Sequence, residues 1–266
     1  MKNILVPIGT SERAVETLQY AVDFAAEFSA TVFVMDVIKV KSAAGSLANF
    51  KEKVVQNSKE QLKEIIGNVQ AKSVEIKIAT YTGELIDGLK EIDAALGIDL
   101  IIIAPRSNDI REELYLGNTS GSIIKRTNIP TLVVPRGTVF TPFTSVLAAF
   151  KSGILKRKRI LNALEAINDR FNTTVRMLLV KTPGYSDDDL KVNPALMDIS
   201  SQLTITENAT TYQGVLENFH SNQPDLLCVF RRKRGFFKKL WESNTILKSE
   251  FHASIPVLIL SDMKKG

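Results

Sequence analysis

Two stretches of the 266-residue chain carry residue types suited to chemistry. From Asp99 it reads DLIIIAPRSNDIREELYLGNTS, an apolar run that breaks into a polar loop with one glycine, Gly117, followed by Asn118 and Thr119. Glycine lets backbone N–H groups approach an anion closely, because no Cβ intervenes. The helix N-terminus that follows adds partial positive charge and unpaired donors. Such a loop suits phosphate binding; equally, Gly117 ends a loop and Asn118 caps a helix. From Arg231 the chain reads RRKRGFFKK, six cations in nine residues, and Lys156, Arg157, Lys158 and Arg159 form a second cluster. Their fields would add around one crevice and draw an acidic partner: a polyphosphorylated metabolite, nucleic acid, an anionic membrane surface or an acidic protein face. A solvated surface is the plainer reading of Lys156–Arg159 and of Arg231, Arg232, Lys233 and Arg234.

No pattern for bond making or breaking accompanies these stretches. The chain has no phosphate-loop lysine motif, no nucleophile elbow, and no cysteine placed with a histidine. Ser107 has Asp109 near it but no base, and Glu112 and Glu113 are adjacent, so they diverge on a helix. Asp187, Asp188 and Asp189 lack the spacing and closing glutamate of a calcium loop and fit a helix N-terminus. One cysteine, Cys228, in an apolar run excludes an internal disulfide, and two histidines leave little scope for metal chemistry. We therefore expect no catalytic residue, no metal site and no enzyme activity. A 44% hydrophobic and 24% charged composition with net charge +5 is ordinary for a globular chain. No stretch approaches the ~20 apolar residues of a membrane span, and Pro7 and Gly9 cut the first apolar run too short for a signal peptide. A reducing cytoplasm is the expected location.

The elements that must position these residues alternate. NILVPI, TVFVMDV, SVEIKIAT, DLIIIAP and PTLVVP read as strands. Between them Val15, Leu18, Val22, Ala25 and Phe28 recur at helical spacing, as do Leu47 to Ile66 and Leu85, Leu89, Ile92 and Leu96, with a last helix from about Asn118. Strands separated by helices imply a parallel sheet with right-handed crossovers, and runs as apolar as LIIIA imply cover on both faces.

The series then repeats. At a shift of 126, Asp99/Asp225, Leu100/Leu226, Arg106/Arg232, Asn118/Asn244, Pro130/Pro256 and Leu132/Leu258 are identical; near the first helix the shift is 143 (Leu18/Leu161, Phe28/Phe171). The second copy is thus about 17 residues shorter, mostly at the expense of the long helix from Leu47 to Ile66. The expected fold is α/β: two tandem doubly wound, Rossmann-like, five-stranded parallel-sheet domains of strand order 3-2-1-4-5, the second shortened. Their bounds are 1–136 and 145–266, joined by a linker at 137–144 rich in glycine, proline and threonine.

The NILVPI opening, the loop after the fourth strand, its glycine with a small polar residue, and the closing IPTLVVP together resemble the universal stress protein family in tandem form. The resemblance implies a Gly-x2-Gly-x9-Gly-Ser/Thr loop for nucleotide phosphates, which here carries Ala104, Ser107, Gly117 and Asn118, with Thr119 next. It implies that Pro7 and Val37 flank an adenine with Ile103 beside them, and that Gly9 stands where members have an acidic residue for the ribose. ATP or AMP in the first domain is then one reading, and weak or lost nucleotide binding the other. In the second domain Phe230, Lys233, Ser243 and Asn244 hold the four loop positions and Lys151 the acidic one, so no cofactor is expected there. The family pairs subunits through their last strands, so Thr131–Val134 and Val257–Leu260 are expected to pair within the chain as a pseudo-dimer, with further homodimerisation open. The implied role is binding and signalling in stress tolerance.

Overall fold

The structure is a computed structural model. It describes residues 1–8, 13–38, 47–105, 117–155, 157–231 and 255–261, apart from the side chains at 47–51, 117, 118 and 158. The first half runs β1 (Asn3–Pro7), α1 (Ala14–Phe28), β2 (Thr31–Ile38), α2 (Leu47–Gly67), β3 (Ile76–Thr82), α3 (Leu85–Leu96), β4 (Leu100–Ile103), α4 (Gly117–Arg126) and β5 (Thr131–Val133). The second runs β6 (Ser145–Phe150), α5 (Asn162–Phe171), β7 (Thr174–Lys181), α6 (Pro194–Asp198), β8 (Gln202–Glu207), α7 (Thr211–Asn222), β9 (Leu226–Arg231) and β10 (Val257–Ser261). Where the first copy has the 21-residue α2, the second has a 3-10 turn at Asp187–Leu190 and the five-residue α6.

All ten strands form one sheet, in the order β3-β2-β1-β4-β5-β10-β9-β6-β7-β8. Each half is parallel and has the 3-2-1-4-5 order. The halves meet where β5 and β10 pair antiparallel, with Leu132 opposite Leu258, the same position in each copy. That pairing satisfies two edges which would otherwise expose unpaired N–H and C=O groups. Strand residues alternate between two cores. Ile4, Val6, Leu100, Ile102, Leu226 and Leu258 face one; Leu5, Ile101, Ile103, Leu227, Val229 and Ile259 face the other. Both cores run across the seam, so side chains of the two halves pack as one layer on each face.

The identity Asp99/Asp225 has a local cause. The Asp99 carboxylate accepts from the Lys2 N–H (2.5 Å) and the Asn3 N–H (3.1 Å), and Asp225 does the same for Thr144 (2.7 Å) and Ser145 (3.0 Å). Each aspartate thus ties the amino end of its half's first strand to the strand that pairs beside it. Helix α1 buries more than the stripe its periodicity predicts, since Tyr20 and Phe24 are also covered. Their cover is non-local. Phe140, between β5 and β6, stands edge-on to both rings (5.5 and 5.6 Å), and Phe171 of α5 packs on Phe28 at 5.6 Å. Glu27 accepts from Arg170 at 2.8 Å beside this cluster. Replacing Phe24 by alanine should remove about 3–5 kcal/mol of stability. A urea unfolding midpoint unchanged by Phe24→Ala would contradict this packing.

Candidate functional site

The carboxyl edge of the first half gathers most of the expected pocket. Leu5 lies opposite Ile101, which brings Pro7 and Ile103 to neighbouring strand ends, and the Ile8 N–H donates to the Met35 carbonyl at 2.8 Å. Ile103 is buried and Pro7, Val37 and Ala104 are half-buried. Ser120 in the first turn of α4 donates its hydroxyl to the Ala104 carbonyl at 3.0 Å. This bond holds the helix N-terminus, which begins at Gly117, against the end of β4; Thr119 is exposed there. Gly9, Ser107 and the side chain of Asn118 lie outside the described residues. Asp36 braces the other wall, taking the Val37 N–H (2.9 Å) on one oxygen and the Ser58 hydroxyl of α2 (2.6 Å) on the other.

Sequence reasoning missed Arg13. It sits at the start of α1 and donates through Nη1 to the Pro105 carbonyl at 3.1 Å, so a guanidinium spans the β1–α1 and β4–α4 loops. A helix N-terminus, a small residue at the strand end and a guanidinium are groups whose donors and charge suit an anion. The available signal was a cation directly preceding the apolar repeat of the first helix.

The matching edge of the second half is filled by protein. Phe230, at the position of Ala104, is buried and stands edge-on to Phe150 at 5.8 Å. The segment that replaced α2 folds over the end of β6: the Gly153 N–H donates to the Asp189 carbonyl (2.7 Å) and its carbonyl accepts from Asn193 (2.9 Å). A Cβ on Gly153 would lie 2.5 Å from Val192 Cα, so glycine is required by this contact. Lys151, in place of the acidic residue, is exposed beside the segment. Lys233, Ser243 and Asn244 lie outside the described residues. Asp187–Asp189 serve helix initiation, as their composition predicts: Ser186 and Asp189 form a reciprocal capping box.

One member of the basic crevice must be withdrawn. Arg231 is buried at 6% exposure and faces the seam, not a partner. Its guanidinium donates to the carbonyls of Lys125 and Thr127 at the end of α4 and to the Ser261 hydroxyl (2.8 Å), which itself donates to Asn128 (2.9 Å). A cation suits the carbonyl end of a helix, and five donors in a fixed fork match the three oxygens. Of the rest, Arg157 is half-buried and Arg159 exposed, while Lys156, Arg232, Lys233 and Arg234 and the side chain of Lys158 lie outside the described residues. Cys228 is buried, which pushes its thiol well above the usual range and leaves it unreactive. Among the described residues no three His, Cys, Asp or Glu side chains gather as a metal site, and no helix is long and apolar enough to cross a membrane.

Comparison with known proteins places this arrangement. Residues 1–135 match the Universal stress protein family. This chain belongs to the universal stress protein family. Two family relatives align with about half of it. Universal stress protein MJ0531 of Methanocaldococcus jannaschii is 26% identical over 140 residues, 51% of this chain and 82% of that one. Universal stress protein G of Escherichia coli O157:H7 is 24% identical over 141 residues, 50% and 98% of the two chains. The crystal structure of a universal stress protein from Archaeoglobus fulgidus covers 98% of both chains at TM-score 0.70 and 17% identity, which shows a shared fold.

Two outcomes test the geometry. Arg231→Ser strips two buried oxygens and one half-buried carbonyl of their donor and should cost about 1–3 kcal/mol, read from urea unfolding; an unchanged midpoint would remove Arg231 from the seam. Asp189 has its pKa lowered by hydrogen bonds from Ser152 and Ser186. A depressed folded pKa adds stability above the ordinary aspartate value of 3.8 that disappears as pH falls through the lower folded value. The protection factors of the Gly153 and Asn193 amides, taken against their intrinsic exchange at each pH, should therefore fall on acidification below that range in the wild type, and already at neutral pH in Asp189→Asn.

Proposed function

We propose that this universal stress protein serves stress tolerance by binding and signalling, without catalysis, and that its nucleotide binding is weak or lost. The observation that carries this reading is the asymmetry of the two carboxyl edges. In the second half Phe150, Phe230 and the segment across Gly153 take the space a nucleotide would need. In the first half, two of the loop's glycine positions hold Ala104 and Ser107, and Gly9 leaves the ribose without an acidic partner. We take 1–136 and 145–266 as domains joined by 137–144, packed as an intramolecular pseudo-dimer; the β5–β10 pairing supports this division. A cytoplasmic location agrees with the single thiol.

A second reading makes the first half an ATP or AMP switch, favoured by Arg13 over the crevice and by the helix N-terminus held at Ala104. An anionic-partner reading retains Lys156–Arg159 and Arg232–Arg234 without Arg231. The test is direct: denature the purified protein and resolve the supernatant by anion exchange at an adenine wavelength, then melt the native protein in millimolar ATP and magnesium. Weak or lost binding gives no stoichiometric nucleotide and a midpoint shift below about 2 °C. One nucleotide per chain, released in Arg13→Ser, would overturn it in favour of the switch.

A further inference from the structure

A second cavity lies away from the family pocket, in the seam between the halves. The antiparallel β5–β10 pairing sets the amino ends of the first half's strands beside the carboxyl end of β10. A cavity of about 490 Å3 results, bounded by Lys2, Asp99 and Asn128 on one side and by Arg157, Arg159 and Ser261 on the other. Its volume lies within the ~300–1,000 Å3 of small-molecule sites. Ile98, Ile129, Ile160 and Ala163 supply an apolar wall.

Internal duplication shows why the space exists. At the 143 shift, Ala163 and Arg159 of the second copy match Tyr20 and Glu16 of the first. On that other side of the seam Tyr20 is buried against Phe140, with the Asp225 charge near its hydroxyl. The same two places therefore hold a large ring and an acid in one copy, and a methyl and a guanidinium in the other. Two carboxylates border the cavity, and both already accept backbone N–H groups: Asp99 from Lys2 and Asn3, Asp93 from Ile98. Lys2, Arg157 and Arg159 outnumber them.

We propose that this seam cavity binds a small phosphate monoester. The phosphate meets Arg159 and Arg157, with Asn162 as a neutral partner, and the organic body lies on Ile129, Ile160 and Ala163. Guanidinium groups suit phosphate because their donors form paired, charge-assisted bonds. The site is independent of the first-half pocket and stands whether or not a nucleotide binds there.

Calorimetric titration of the full chain with phenyl phosphate, which lacks adenine, tests it. Wild-type protein should bind at micromolar to millimolar concentration, with inorganic phosphate weaker because it has no body for the apolar wall. Arg159→Glu, which restores the sign of Glu16, should weaken binding about tenfold or more. Ala163→Tyr, which restores the ring of Tyr20, should abolish it without changing charge. Arg13→Ser should leave it unchanged. Absence of wild-type binding overturns the proposal, as does binding that survives Arg159→Glu or is lost in Arg13→Ser. Should Ala163→Tyr fail to fold, the exposed Arg159 decides alone.

Discussion

The antiparallel pairing of β5 with β10 is the constraint on which the rest of the molecule depends. Each half, built alone, would end in a strand whose outer edge carries unpaired N–H and C=O groups and whose faces carry uncovered apolar residues. Joining the edges satisfies the groups, and Leu132 opposite Leu258 continues each core from one half into the other. Because the join is antiparallel, the carboxyl end of one half lies beside the amino end of its neighbour. Arg231 exploits this: it leaves the end of β9 and reaches the last carbonyls of α4. The aromatic packing of Tyr20, Phe24, Phe28, Phe140 and Phe171 is the helical counterpart of the same join.

Duplication gave two copies of one carboxyl edge, and they diverged in opposite ways. The first kept small residues at the strand end and a helix N-terminus held close by Ser120. The second shortened the connection between β7 and β8. The remaining segment was then free to fold across the end of β6, where Gly153 accepts its backbone at a distance no side chain would permit. Phe230 completes the filling from below. An edge that could have met a ligand has become part of a core that stabilises the module.

Much of the fold is legible in the order and spacing of residues. Period two and period 3.6 place the strands and helices within a few residues, since each pattern records which face is buried. Strand β3 starts at Ile76, three residues later than its alternation begins, because Ser73 takes a left-handed conformation that a strand cannot hold. The constant offsets between copies located the missing helix, and the acidic run at Asp187–Asp189 marked a helix start, where the structure adds the capping box of Ser186 and Asp189. The candidate pocket residues Pro7, Ile103 and Ala104 came from the family resemblance and not from spacing, whereas Arg13 depends on where a loop places its guanidinium.

By itself the sequence determined element types, the duplication, the shortened second copy and the large residue, Phe230, at the end of the second copy's fourth strand, because each is written in local spacing or in residue size. Tertiary structure alone decided what those elements cover. Periodicity marks the Leu18, Val22 and Ala25 stripe of α1 but neither Tyr20 and Phe24 nor Phe140 as their cover, and a run of cations reads alike whether solvated or buried. Arg231 left the basic run because the seam brought three oxygens to it. Contacts between residues a hundred positions apart arise from how the chain crosses itself, which local composition does not encode.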